Sequence, residues 1–219
     1  MQQIQIASKA DIVPFKVVCV GRNYVEHIKE LGNEVPDEMV VFSKPNSAIS
    51  SQLIAVYQEE LHYEAELCFV IKHGQLYAVG VGLDLTKRGL QNKLKSQGLP
   101  WERAKGFNGA VVFSEFIVIE QVTSDWCFTL TIDNELVQIG HSSLMMYPPQ
   151  VILNELQSFM HLDDGDVIMT GTPKGVGKVI KGARFEVKLW ADIPFTTEDE
   201  LVNNLQQLTP LICQQWQAK

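Results

Sequence analysis

The sequence predicts a β-rich α+β domain. Two observations carry this. Short runs of β-branched and aromatic residues, bounded by Gly- and Asp-containing turns, outnumber the segments with helical periodicity. Hydrophobic residues make up 46% of the chain and charged residues 20%, which suits one globular core over 219 residues.

The elements follow in order. Residues 17–20, Val-Val-Cys-Val, end at Gly21 and read as a buried strand. Residues 22–31 read as a short helix, with Asn23 as a candidate cap and Gly32 as its stop. Residues 40–42 form another strand, leading into Ser43-Lys44-Pro45. Residues 67–71 are strand-like, with Glu64 and Glu66 just before them. A turn at His73-Gly74-Gln75 returns the chain as a strand over 76–83. Residues 86–97 turn helical, with Leu90 and Leu94 four apart, Lys87, Arg88, Lys93 and Lys95 solvated, and Gly98 and Pro100 closing the segment. Residues 103–107 read as a non-helical connection. Residues 128–132 and 136–139 flank Asp133-Asn134-Glu135 as a hairpin. Residues 149–160 form a helix, with Pro in its first turn and Ile152, Leu156 and Phe159 on one face. A turn at 163–166 precedes a strand at 167–170. Residues 185–189 are expected as the last core strand, and 198–208 as one more helix.

Composition limits the function. The formal net charge is −8 and no basic stripe stands out, so nucleic acid is not an expected partner. The N-terminus lacks the pattern of a signal peptide, and no apolar run is long enough to span a bilayer, so no membrane role is expected. Cys19, Cys68, Cys127 and Cys213 have no paired spacing and suit reduced thiols in a cytoplasmic protein.

Four features carry chemistry. Glu64 and Glu66 are two apart, so on a strand both carboxylates point to one face. Their mutual repulsion calls for a proton or cation, and an all-oxygen set with Asp84 favours Mg²⁺ or Mn²⁺ over Zn²⁺. His27 and Glu30 are three apart on a helix, where a carboxylate can fix the imidazole tautomer and make a general base. Arg22, Lys44 and Lys105 together can hold a substrate carboxylate or an oxyanion. The run Gly171-Thr172-Pro173-Lys174-Gly175-Val176-Gly177-Lys178 fails the phosphate-loop spacing, yet a turn of this kind exposes backbone N–H groups to an anion. Taken singly, each also suits a structural role: an exposed strand edge, a helix cap at Asp84, a solvated helix face, surface charges, a tight turn.

Jointly the segments resemble the fumarylacetoacetate hydrolase family, its acylpyruvate-hydrolase-like branch above all. The resemblance rests on Gly21-Arg22-Asn23-Tyr24 with His27 and Glu30-Leu31; Ser43-Lys44-Pro45; His62-Tyr63-Glu64-Ala65-Glu66-Leu67; Leu83-Asp84-Leu85-Thr86 with Arg88 and Gln91; Trp101 to Lys105; and Gly165-Asp166-Val167-Ile168 leading into Thr170-Gly171-Thr172-Pro173-Lys174-Gly175-Val176-Gly177. It implies a mixed β-sheet roll and a homodimer. It implies that Glu64, Glu66 and Asp84 ligate Mg²⁺ or Mn²⁺, that His27 and Glu30 activate water, and that Lys105 and Thr172 line the substrate site with Arg22, Arg88 and Gln91 as helpers. The catalytic domain is expected over 15–190, preceded by a segment 1–14 and followed by a tail, 191–219, that matches nothing in the family. Three positions depart from the family pattern: Gly89, where relatives often carry Asp, bears on the support of Asp84, whereas Val137, which replaces a basic residue, and His141 bear on substrate identity.

The implied activity is metal-dependent hydrolysis of a C–C bond in a small 3-acylpyruvate-type 2-oxo acid. The alternatives are oxaloacetate decarboxylation or keto–enol tautomerisation at the same site, and, third, a non-catalytic binding protein on the same fold.

Overall fold

The structure is a computed structural model, and it describes residues 1–120, 123 and 125–219. Its largest sheet has seven strands. In spatial order they are β2 (Val40–Pro45), β1 (Lys16–Gly21), β12 (Val167–Met169), β5 (Ala65–Lys72), β6 (Gln75–Asp84) and β8 (Val111–Phe113), with β9 (Ile117–Val118) also paired to β6. β1 and β12 run parallel and the other pairs antiparallel, so the sheet is mixed as expected. A second sheet has the order β11 (Glu135–His141), β10 (Cys127–Ile132), β14 (Arg184–Trp190) and β15 (Ile212–Gln217). A small third sheet joins β13 (Gly177–Lys178), β4 (Glu59–Tyr63) and β3 (Val56–Tyr57), with β7 (Thr86–Lys87) also on β4.

Successive residues of β1 serve two different cores, because side chains alternate across a strand. Val17 and Cys19 belong to the core that also takes in Phe128, Leu130, Phe185 and Val187 of the second sheet. Val18 and Val20 pack with Ile152, Leu153 and Leu156 of helix α4 (Pro149–Phe159). The main sheet is therefore covered on both faces, and its strands read as continuous apolar runs for that reason. Phe159, expected on the buried face of α4, is 58% exposed; it is the last residue of the helix.

Several expectations need correction. Helix α1 (Val25–Glu30) has Tyr24 at its N-cap, with no side-chain cap. Asn23 is instead fully buried: its amide donates to the carbonyls of Tyr147 and Thr170 and accepts from the Tyr147 N–H. Helix α2 (Arg88–Ser96) follows the two-residue strand β7, and Lys87 and Arg88 are not solvated. Lys87 lies over the rings of Tyr57 and Phe107, 4.6 and 4.7 Å from their centroids. The connection after Trp101 is a single helical turn, α3 (Glu102–Lys105). β14 is not the last strand.

The segment 191–219 builds α5 (Glu198–Leu205) and β15. Leu201 and Leu205 pack on Cys127 and Trp190, and β15 pairs with β14 along its length. Lys219 exchanges backbone hydrogen bonds with Leu53 and Ala55. At the other end, Ile4 and Ile6 are buried in the main core. No described helix is long and apolar enough to cross a membrane.

Candidate active site

The site begins with the β5–β6 hairpin. Ala65 lies opposite Leu83, and Glu66 opposite Gly82. Immediately beyond this pairing the Asp84 N–H donates to the Glu64 carbonyl at 2.8 Å. Residues twenty apart in sequence are thereby locked side by side. Glu64, Glu66 and Asp84 are all buried, and each offers a carboxylate oxygen within 4.8 Å of the others.

Cations surround this trio. The Lys105 ammonium donates to Glu64 Oε2 at 2.7 Å, to Asp84 Oδ2 at 2.8 Å and to Thr86 Oγ1 at 2.7 Å. Arg88 donates to Glu64 Oε1 and, at 2.7 Å, to Gln91 Oε1. Lys44, wholly buried, pairs with Asp84 Oδ1 at 2.7 Å and donates to the Lys105 carbonyl. Lys44 lies behind Asp84 and is not part of the cavity wall, so it is a counter-ion rather than a substrate contact.

The three acids are not equivalent. Burial works to raise the Glu64 carboxyl, but Lys105 and Arg88 overcome it and hold Glu64 well below the usual carboxylate range. Burial, then the charges of Asp84 and Glu64, push Glu66 well above that range, against the pull of Lys105 and of the Gly171 N–H. Lys105 is penalised by burial, yet Asp84 and Glu64 raise it above the ordinary range. A protonated or cation-paired Glu66 is what such crowding demands. Three convergent buried carboxylates, all oxygen donors, fit a hard divalent ion. The Lys105 ammonium already lies against two of them.

Glycines bring the remaining parts in. Gly171, at φ +95°, donates its N–H to Glu66 Oε2 at 2.8 Å; a Cβ there would meet Asn23 Cβ at 2.9 Å and the Val20 carbonyl at 3.0 Å. Gly175, at φ +96°, donates to Glu30 Oε1 at 2.9 Å, and a Cβ there would sit 1.9 Å from the Val137 carbonyl. Only glycine suits either position. The other Glu30 oxygen is 3.1 Å from His27 Nδ1. With Glu30 ionised, Nδ1 carries the proton and Nε2 is the basic nitrogen.

One cavity is lined by Arg22, His27, Arg88, Gln91, Lys105 and Thr172, together with all three carboxylates. Every site residue read from the sequence is thus on its wall except Lys44, behind Asp84, and Glu30, which supports His27 from behind. Leu31, Phe42 and Trp101 supply its apolar wall.

Sequence reasoning missed Gln138. This buried amide accepts from the Ala65 N–H at 3.0 Å, between two of the acids, and donates to Thr172 Oγ1 and the Pro173 carbonyl, each at 2.9 Å. Its orientation is fixed by these partners, and it ties the carboxylate strand to the glycine loop. The only sequence signal was a polar residue among apolar neighbours in a strand. His141, noted as unusual, is also buried. Its Nε2 faces the Ile193 carbonyl at 2.6 Å and its Nδ1 accepts from the Ser143 N–H at 3.1 Å, so it anchors the segment before α5 and is no part of the cavity.

Comparison with known proteins agrees with this geometry. The family model for the fumarylacetoacetate (FAA) hydrolase C-terminal domain matches residues 16–211. Oxaloacetate tautomerase YcgM of Escherichia coli is 37% identical over 190 residues, covering 78% of this chain and 87% of that one. The mitochondrial oxaloacetate tautomerase FAHD1 of Bos taurus is 36% identical over 180 residues, covering 74% and 81%. Fumarylpyruvate hydrolase of Pseudomonas aeruginosa, solved in complex with Mn²⁺ and pyruvate, superposes with a TM-score of 0.79 at 28% identity, covering 86% and 91%.

Proposed function

The chain belongs to the fumarylacetoacetate hydrolase family, and from that premise we propose that it is a divalent-metal-dependent enzyme interconverting the keto and enol forms of oxaloacetate or a close 2-oxo acid. Members of this family are enzymes, and relatives above one-third identity include oxaloacetate tautomerases and an oxaloacetate decarboxylase. The observation that carries the reading is the meeting of Lys105 with Glu64 and Asp84 inside a small, partly apolar cavity. The tautomerase relatives move the emphasis from C–C hydrolysis, expected from the sequence, to enolisation.

Glu64, Glu66 and Asp84 would hold Mg²⁺ or Mn²⁺. When bound, such an ion supplies Lewis-acid polarisation of the 2-oxo group and neutralises charge on the adjacent carboxylate. Enolisation removes one proton from the carbon next to the carbonyl and places one on the carbonyl oxygen; no bond between heavy atoms breaks. His27, held by Glu30, moves the carbon-bound proton through Nε2. Lys105 places a buried ammonium where negative charge develops on oxygen, a preorganised contact whose loss typically costs about 3 kcal/mol. Thr172 Oγ1 accepts from Gln138, which leaves its own hydrogen free to position a substrate oxygen. Phe42, Trp101 and Leu31 limit water around these groups.

Hydrolysis of an acylpyruvate is the second reading. The His27–Glu30 contact favours it, because the same pair suits activation of water. A panel of oxaloacetate, acylpyruvate and fumarylpyruvate, assayed with Mg²⁺ or Mn²⁺ and again with EDTA, separates the two. The expected result is EDTA-sensitive acceleration of oxaloacetate enol–keto exchange. Cleavage of the acylpyruvates without any effect on oxaloacetate would replace the first reading by the second, and inactivity on all three would overturn both.

A further inference from the structure

Two cations on the cavity wall have no acidic partner among the described residues. Arg22, at the end of β1, and Lys95, in the last turn of α2, both reach the cavity lined by the carboxylate trio. Their shared partner is a neutral oxygen: Asn33 Oδ1 is 2.8 Å from Lys95 Nζ and 3.4 Å from Arg22 Nη2. Arg88 beside them is already engaged by Glu64 and Gln91. Lys95 is further positioned over Trp101, 5.9 Å from the ring centroid. Arg22 occupies φ +58°, a left-handed conformation that a bulky residue adopts at a cost.

This convergence is unfavourable as it stands. Burial, then the charges of Arg22 and Arg88, hold the Lys95 ammonium below its ordinary range. Glu64, on the same cavity wall, pulls the other way but is engaged by Lys105 and Arg88, and no carboxylate pairs directly with Arg22 or Lys95 among the described residues. An anion between the two cations would remove the repulsion, and a carboxylate matches a guanidinium fork beside an ammonium. We infer that Arg22 and Lys95, bridged by Asn33, form a subsite for the distal carboxylate of a dicarboxylic 2-oxo acid.

The inference rests on the 2-oxo acid reading above and narrows it. A molecule with its 2-oxo carboxylate at the Glu64, Glu66 and Asp84 end carries a second carboxylate to the rim only if it is a diacid. Monocarboxylic 2-oxo acids leave the two cations unrelieved. Selection for the diacid therefore comes from Arg22 and Lys95.

The test measures calorimetric affinities of the Mg²⁺-loaded protein for two non-reacting probes. Oxalate has no carbon that reaches the rim, whereas malate carries a distal carboxylate. Two variants are used. Lys95→Met removes a charge, and Asn33→Asp keeps the shape but supplies an internal carboxylate between the cations. In both, the preference for malate over oxalate should fall at least tenfold, and Lys95→Arg should restore most of it. The KM for oxaloacetate should rise in both variants by more than kcat falls. A malate-to-oxalate preference within twofold of the parent in both variants overturns the subsite while leaving the 2-oxo acid reading intact. A parent that binds neither probe sinks that reading itself.

Discussion

Replacing Lys105 by Met tests the electrostatics of the centre without relying on turnover. The ammonium makes three contacts of 2.7–2.8 Å, two of them to carboxylates, in a site shielded from solvent. Removing one partner from a buried ion pair leaves uncompensated charge and costs about 3–5 kcal/mol. For a domain of this size each kcal/mol lowers Tm by about 2–4 °C, so the metal-free variant should melt some 6–20 °C below the parent. A divalent ion offers the same carboxylates an alternative counter-charge, and in the variant it no longer competes with an ammonium. Saturating Mg²⁺ should therefore raise Tm more in Lys105→Met than in the parent. If about 2 kcal/mol of the loss is recovered, the extra rise is about 4–8 °C. Thermal denaturation followed by circular dichroism, with and without Mg²⁺, gives all four values. Equal Mg²⁺-induced shifts in both proteins would refute the idea that ammonium and ion share these carboxylates.

Three further outcomes are expected. Glu30→Gln should bind Mg²⁺ as the parent does, yet lose about tenfold to a hundredfold in kcat, the worth of a charged hydrogen bond of about 1.5–3 kcal/mol; an unchanged kcat would remove Glu30 from the mechanism. Gly175→Ala should lower kcat and Tm together, because its Cβ would fall 1.9 Å from the Val137 carbonyl and the loop must withdraw its N–H from Glu30; parent values for both would show that the loop adapts. The pH dependence follows from Glu66, whose carboxyl is raised in the metal-free fold by burial and by Asp84 and Glu64. A raised group contributes stability below its unfolded value, near 4.5, and loses it as pH rises through the folded value. Between those limits Mg²⁺ must displace a proton, so its affinity should climb with pH; calorimetric enthalpies independent of the buffer's ionisation heat would contradict this.

Much of the centre was legible in the sequence because its chemistry sits in short motifs. Glu64-Ala65-Glu66 needs only the two-residue period of a strand to converge, and His27 with Glu30 only one turn of helix. Other roles were not legible because they depend on partners far along the chain. Asn23 looked like a helix cap but spends its amide on Tyr147 and Thr170. Lys95 looked like a solvated helical lysine until Asn33, Arg22 and Trp101 were brought around it. The strand at 212–217 was missed because its polar residues mark a sheet edge rather than a buried run.

Local composition and period determined which residues are acidic, basic or apolar, and on which face of each element they lie. The meeting of Asp84 with Glu64 was decided elsewhere. An unbroken hairpin from Lys72 opposite Gln75 would set Tyr63, not Glu64, beside Asp84. The register shift between Val70 and Ile71 moves the pairing by one residue and brings the two carboxylates together. A one-residue slip reverses which face each side chain takes, and packing of both sheet faces against helix and second sheet is what selects the shifted register.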